Sequence, residues 1–320
     1  MNWNPLSGIY GGVVAARNAL YDRRWLRARR LQGSVISVGN ISAGGSGKTP
    51  FVILLGELLK ARGLRFDVLS RGYGRKSRGV LLVDPGGLAG DFGDEPLLMA
   101  RRLQVSVVVG EDRYEAGRFA EARFGPQIHL LDDGFQHRGL ARDFDIVLVT
   151  PEDARDRLLP AGRLREHLGA LQRADAVALT SGASAELFPL EGKTVWRVRR
   201  GIVTQNATQN IPPRPVVFCG IARPQNFLLQ LRAAGVDPVA EAFFRDHHAY
   251  TEKDVRDLLQ LRQRSEAGGF ITTEKDAVNL GGYLEALAPL AVVPVKMELA
   301  DAANAVDTML RMIEERRGDS

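Results

Sequence analysis

The chain has 320 residues, enough for two domains at ~100–200 residues each. Hydrophobic residues make up 45% and charged residues 25%, the balance of a soluble globular protein with a large core, and no run approaches the ~20 apolar residues that span a bilayer. One cysteine, Cys219, excludes a disulfide framework or a cysteine-based zinc site and fits a reducing compartment.

The 43 Lys and Arg exceed the 38 Asp and Glu by five, and residues 1–30 hold the whole excess. There Arg17, Arg23, Arg24, Arg27, Arg29 and Arg30 face Asp22 alone. These positive charges follow the apolar part instead of preceding it, which does not fit a signal peptide. Leu6, Ile9, Tyr10, Val13 and Val14 have helical spacing, and Leu20, Tyr21, Trp25 and Leu26 extend the apolar character. An apolar stripe with an aromatic beside an arginine cluster predicts an interfacial helix on an anionic membrane surface. The competing reading is a first helix packed on the core with a solvated basic turn, and Gly8, Gly11 and Gly12 weaken any helix. No nucleic-acid-binding module accompanies the arginines, and nothing in the sequence marks a protein partner.

Short apolar runs then alternate with helical segments. Strands are predicted near Ser34–Val38, Phe66–Leu69, Val80–Val83, Val105–Val109, Ile128–Leu131, Ile146–Val149 and Ala176–Leu179, with a helix over Thr49–Arg62. This pattern predicts an α/β core, residues 31–195, built as a doubly wound, mainly parallel sheet of the P-loop NTPase type. Val195–Val198 and Ile202–Gln205 read as strands of a two-stranded linker, 196–215, whose polar Asn206–Pro215 part holds three prolines. A second, smaller α/β domain, 216–320, follows. It has strands near Val216–Cys219, Gly269–Thr272 and Val292–Val295, and helices near Asn226–Ala234, Glu252–Leu261 and Asp301–Arg316.

The most informative run is Gly39-Asn40-Ile41-Ser42-Ala43-Gly44-Gly45-Ser46-Gly47-Lys48-Thr49-Pro50, between a predicted strand and a predicted helix. Ala43 to Thr49 would wrap backbone N–H groups around phosphate oxygens, with Lys48 reaching the β- and γ-phosphates and Thr49 ligating Mg²⁺. The Walker A consensus asks for glycine at 42, where this chain has serine. Asp132 and Asp133 end an apolar strand in the manner of a Walker B motif, one of them holding the metal. ATP and Mg²⁺ are therefore the expected cofactors. These parts are common to kinases, GTPases and ATPases. Thr273-Glu274-Lys275-Asp276 has the wrong spacing for a guanine reader, and no extra lysine opens the loop as in partitioning ATPases.

Further motifs narrow the class. Ser70-Arg71-Gly72-Tyr73-Gly74-Arg75, Gly93-Asp94-Glu95-Pro96, Val109-Gly110-Glu111-Asp112-Arg113, Leu131-Asp132-Asp133-Gly134-Phe135-Gln136-His137, Leu159–Glu166, Gly220–Pro224, Asp246-His247-His248 and Thr272–Val278 follow one another along nearly the whole chain. Together they resemble the tetraacyldisaccharide 4′-kinase family. The resemblance implies transfer of the ATP γ-phosphate to the 4′-hydroxyl of an acidic tetraacyldisaccharide 1-phosphate, giving lipid IVA in lipid A synthesis. It also implies peripheral attachment at the cytoplasmic face of the bacterial inner membrane.

A sugar hydroxyl needs a base near the γ-phosphate. Asp94 is the candidate, against the alternative of a helix N-cap before Pro96. The resemblance implies that His247, or its neighbour His248, partners it. Gln136 and His137 are candidates for positioning substrate, Glu166 is a further acidic candidate near the nucleotide, and Arg71, Arg113 and Arg165 match phosphate geometry. Thr272–Asp276 reads as a structural turn with no chemical role. Two other functions stay open: a soluble P-loop kinase or ligase acting on a small acidic metabolite, and a nucleotide-gated switch with no acceptor.

Overall fold

The structure, a computed structural model, describes residues 5–202 and 211–318. Eight strands in the first two-thirds of the chain are β1 (Val35–Asn40), β2 (Phe66–Ser70), β3 (Leu81–Leu82), β4 (Val107–Val109), β5 (Ile128–Asp132), β6 (Phe144–Val149), β7 (Ala176–Thr180) and β8 (Thr194–Ile202). Then come β9 (Val216–Cys219), β10 (Ala240–Phe243), β11 (Phe270–Thr273), β12 (Leu290–Val293) and β13 (Val295–Leu299). The helices are α1 (Pro5–Asp22), α2 (Lys48–Ala61), the single turn α3 (Ala89–Phe92), α4 (Asp94–Leu103) and α5 (Arg113–Phe124). They continue with α6 (Pro224–Ala233), α7 (Glu252–Arg264), α8 (Glu274–Leu280) and α9 (Ala302–Gly318).

The larger sheet runs β13-β8-β7-β6-β1-β5-β2-β4-β3 and is parallel except at its two edges, β13/β8 and β4/β3. β1, β2 and β6 are buried at every position, as strands covered on both faces must be. The order reverses at β1, so a crevice opens at the carboxyl ends of β1 and β5, where ligands bind in open α/β sheets. α2 covers β1 because Phe51, Val52, Leu55 and Leu59 form its inner face, and each such burial contributes roughly 1.5–3 kcal/mol. The smaller sheet, β10-β9-β11-β12, is parallel throughout.

The expected division at 196–215 and 216–320 needs correction. Thr194–Ile202 is one continuous strand in the larger sheet, not half of a two-stranded linker. The linker positions 203–210, including most of the expected strand Ile202–Gln205, lie outside the described residues. The last two elements also leave the second unit. β13 pairs antiparallel with β8, and α9 buries Ala305, Val306, Met309 and Ile313 in the first unit's core. Their apolar faces find complementary surface on β8 and α2, and sequence proximity to β12 does not decide the matter. β10 was not anticipated, since Ala-Glu-Ala-Phe carries almost no strand signal.

α1 forms despite its glycines. Gly11 is its one buried position, and a Cβ there would lie 2.7 Å from Leu158 Cδ1, so glycine permits the close approach. Ser7 Oγ donates to the Leu158 carbonyl at 3.1 Å and Tyr10 Oη to that of Arg165 at 3.2 Å. The opposite stripe, Leu6, Ile9 and Val13, is 60–65% exposed, and Trp25 is 74% exposed. Arg29 pairs with Asp112 and Glu115, and Arg30 with Asp143. Arg23, Arg24 and Arg27 remain exposed.

Candidate active site

β1 leads directly into the phosphate loop. Gly44, Gly45 and Gly47 have φ of 77°, 55° and 86°, a left-handed conformation that strains any other residue. Gly47 caps α2 without a side-chain acceptor, so the first N–H groups of the helix are left for another partner. Ser42 is not in this conformation. Its backbone bridges Leu164 antiparallel, which removes the need for the consensus glycine. Asn40 braces the loop from beneath, donating to the Ser42 carbonyl at 2.6 Å and to Ser46 Oγ at 2.8 Å. Lys48 donates to Asn40 Oδ1 at 3.2 Å and lies 3.3 Å from Asp133 Oδ1.

The two aspartates at the end of β5 have opposite surroundings. Burial opposes ionisation of Asp133, but Lys48 and Arg165 outweigh it and hold the carboxyl below its ordinary range. Both Asp133 oxygens accept from Arg165 Nη1 at 2.9 Å. Asp132 is 3% exposed, and Ser70 Oγ donates to its Oδ2 at 2.9 Å while Oδ1 has no hydrogen-bond partner among the described residues. Burial, and then the charges of Glu95 and Asp133, push Asp132 up to about 7. A buried, unpartnered carboxylate oxygen with no cation bonded to it fits a divalent ion.

Asp94 opens α4, with Gly93 rather than Asp94 in the capping position. It is 5% exposed and meets His247 Nδ1 at 3.0 and 2.8 Å through its two oxygens. Asn279 Nδ2 donates to it at 3.2 Å, and Lys275 Nζ lies 3.7 Å away. Burial works against the charged form, but the hydrogen bond from His247 and the charge of Lys275 prevail, and Asp94 is held below its ordinary value. His247 moves the other way, raised chiefly by its bond to Asp94. His248 does not compete for the position: its Nε2 contacts Asp254 at 3.1 Å and its ring stacks on Phe244.

The remaining candidates divide. Glu166 is fully engaged, by Arg173 at 2.8 and 3.0 Å, Asn18 at 2.6 Å and Gln136 at 3.1 Å, and so ties α1 to the site. Gln136 also donates to the Asn40 carbonyl at 2.9 Å. Arg113 is buried with Nε unpartnered among the described residues, and Arg71 is exposed at the mouth. Burial and the nearby Arg113 push His137 down to about 4, so its ring is neutral at pH 7. Arg71, Arg113, Gln136, His137 and Glu166 line the same cleft as Lys48, Asp94 and His247, of about 980 Å³. Tyr10, Val14 and Arg17 of α1 form part of its wall, and Ile221, Arg223, His247 and Lys275 of the second unit form another part.

The run Thr272–Asp276, expected as a structural turn, is the junction of β11 and α8, and its Lys275 projects into the cleft. Asn279 and Ser70 were also missed. Nothing local distinguishes them. They become site residues only because α8 packs against α4 and because β2 lies beside β5.

A glycine-rich strand–loop–helix turn facing two aspartates at the carboxyl end of the adjacent parallel strand defines a P-loop nucleoside-triphosphate-binding protein. A second α/β unit contributes part of the wall of its cleft. Comparison with known proteins narrows this class. Residues 2–314 match the family model for tetraacyldisaccharide-1-P 4′-kinase. The chain is 51% identical to the tetraacyldisaccharide 4′-kinase of Koribacter versatilis, over 98% of this chain and 100% of that one. It is 40% identical to the Aquifex aeolicus enzyme of the same name, over 87% and 89% respectively. The crystal structure of Aquifex aeolicus LpxK in complex with ATP superimposes with a TM-score of 0.80 at 35% identity, covering 97% of this chain and 98% of that one. The chain belongs to the tetraacyldisaccharide 4′-kinase family.

Proposed function

We propose that this protein transfers the γ-phosphate of ATP to the 4′-hydroxyl of a tetraacyldisaccharide 1-phosphate, forming lipid IVA. The observation that carries the reading is the Asp94–His247 contact, 2.8 Å long, in the same cleft as the phosphate loop. Loop amides of Ala43 to Thr49 and the Lys48 ammonium hold the triphosphate. Asp94 accepts the proton of the 4′-hydroxyl as that oxygen bonds to the γ-phosphorus and ADP leaves, while His247 fixes the carboxylate's orientation. Thr49 Oγ1 and Asp132 would hold Mg²⁺, which neutralises charge on the β- and γ-phosphate oxygens when bound. Asp133 serves that site indirectly, by orienting Lys48 and Arg165. Arg71 and Arg113, with neutral His137 and Gln136, are the side chains available to an acidic acceptor.

Residues 1–30 form the interfacial segment of this proposal. Leu6, Ile9, Val13 and Trp25 are the apolar contacts, and Arg23, Arg24 and Arg27 the contacts to anionic lipid, at the cytoplasmic face of the inner membrane. The packing of Gly11, Ser7 and Tyr10 on the core supports the reading as a packed first helix, and the exposed Leu6, Ile9 and Val13 on the other face support the interfacial one. The test is incubation with labelled ATP, Mg²⁺ and a disaccharide 1-phosphate glycolipid, with the position of the new phosphate determined. Label on the 4′-oxygen is expected. ATP hydrolysis without a phosphorylated glycolipid would overturn the proposal.

A further inference from the structure

Lys275 has no part in the phosphate chemistry above, yet its surroundings are those of a working group. Its backbone is fixed on both sides. Thr273 Oγ1 accepts from the Asp276 N–H at 3.2 Å, and the buried Asp276 carboxylate accepts from the Gly220 N–H at 2.6 Å and Tyr250 Oη at 2.8 Å. The lysine between them is thereby aimed across the cleft. Its Nζ lies 2.8 Å from Asp246 Oδ1, 3.3 Å from His247 Nε2, 3.7 Å from Asp94 Oδ2 and 3.8 Å from Glu95 Oε1.

An ammonium group has donors only, so its contact with Nε2 requires a lone pair on that nitrogen. The single ring proton of neutral His247 then sits on Nδ1, which faces Asp94 at 2.8 Å. That arrangement leaves Asp94 as the acceptor of the pair. A second proton on the imidazole would have to enter at Nε2, against the ammonium. We propose that Lys275 is a positioning residue that holds His247 as its Nδ1–H tautomer and Asp94 as a free carboxylate. The inference rests on the reading of Asp94 as the base.

The other groups facing the pair act in the opposite sense or are neutral. Asp246 lies 3.8 Å from Nε2 and favours the imidazolium, Glu95 adjoins the same cluster, Asn279 donates to Asp94, and the Tyr73 ring stands 5.3 Å from the imidazole. Three carboxylates thus surround one ammonium. Removing that charge favours protonation of both Asp94 and His247, so both titrations move to higher pH.

The experiment uses the full chain. The pH profile of kcat/KM with ATP and glycolipid is measured for wild type, Lys275→Met and Lys275→Arg. The His247 ring is titrated by NMR in histidine-labelled protein, assigned with His247→Gln. In Lys275→Met the acidic limb and the His247 titration are expected to rise by about one pH unit or more. Lys275→Arg, which keeps the charge, should return both most of the way. Lys275→Gln replaces the methionine variant should that one fold poorly. A Lys275→Met enzyme that loses rate with both titrations unmoved would make Lys275 merely structural and overturn the inference. Asp94→Asn is run in parallel. Wild-type turnover there would overturn the reading of Asp94 as base and this inference with it, whereas lost turnover beside unmoved Lys275→Met titrations would overturn the role of Lys275 alone.

Discussion

Replacing Asp94 with asparagine isolates the proton-accepting role, because the side chain keeps its size while losing its charge and basicity. General base catalysis contributes typically 10²–10⁴-fold, so kcat should fall by that factor, or about 2.7–5.4 kcal/mol of transition-state free energy. The fold should survive. His247 is half-buried and Lys275 retains Asp246 at 2.8 Å, so no charge is left wholly unpaired. A loss of about 1–3 kcal/mol in stability is expected, equivalent to a fall of several degrees in Tm. ATP binding should barely change. Lys48 bonds to Asn40 and Asp133, and Asp94 is not among its partners. The assay is steady-state transfer from labelled ATP to the dispersed glycolipid at saturating and limiting ATP, with calorimetry of ATP binding alongside. A kcat reduced less than about tenfold, or a KM for ATP that rises in step with the fall in rate, would refute the assignment.

Three further outcomes are expected. Lys48→Ala removes a charge-assisted bond to phosphate worth about 1.5–3 kcal/mol, so affinity for a non-hydrolysable ATP analogue should fall roughly 10- to 150-fold by calorimetry. Ile9→Glu with Val13→Glu should abolish sedimentation with anionic vesicles while leaving kcat on a detergent-dispersed acceptor within about twofold, since both side chains are 65% exposed and point away from the cleft wall formed by Tyr10 and Val14. The third concerns the far end of the sheet, where wholly buried His129 contacts Asp67 at 2.8 Å and Glu121 at 3.4 Å. Burial disfavours its imidazolium, but the two carboxylates prevail and raise its pKa above the ordinary value. Its stabilisation is therefore complete below the unfolded value near 6.5 and is lost as pH rises through the folded value. Urea midpoints of wild type should decline over that window. Asp67→Asn should be less stable at pH 6 and show a flatter decline.

Local chemistry in the sequence specified the phosphate loop, the paired aspartates and the parallel sheet. Left-handed turns need glycine, and a buried strand reads as a continuous apolar run. The motif Asp94–Pro96 and the histidine pair were visible too, but not which histidine faces Asp94. That was decided by the packing of His248 against Phe244 and Asp254, which turns His247 into the cleft. Nor could sequence spacing divide the labour of Asp132 and Asp133, adjacent residues whose difference arises from Lys48 and Arg165 reaching one of them and burial isolating the other. The return of β13 and α9 to the first sheet, and the arrival of Lys275 beside Asp94, bring together residues up to 286 positions apart in the chain. Short-range propensity has no access to such separations. Only the burial of complementary apolar faces, between β13 and β8 and between α8 and α4, selects them.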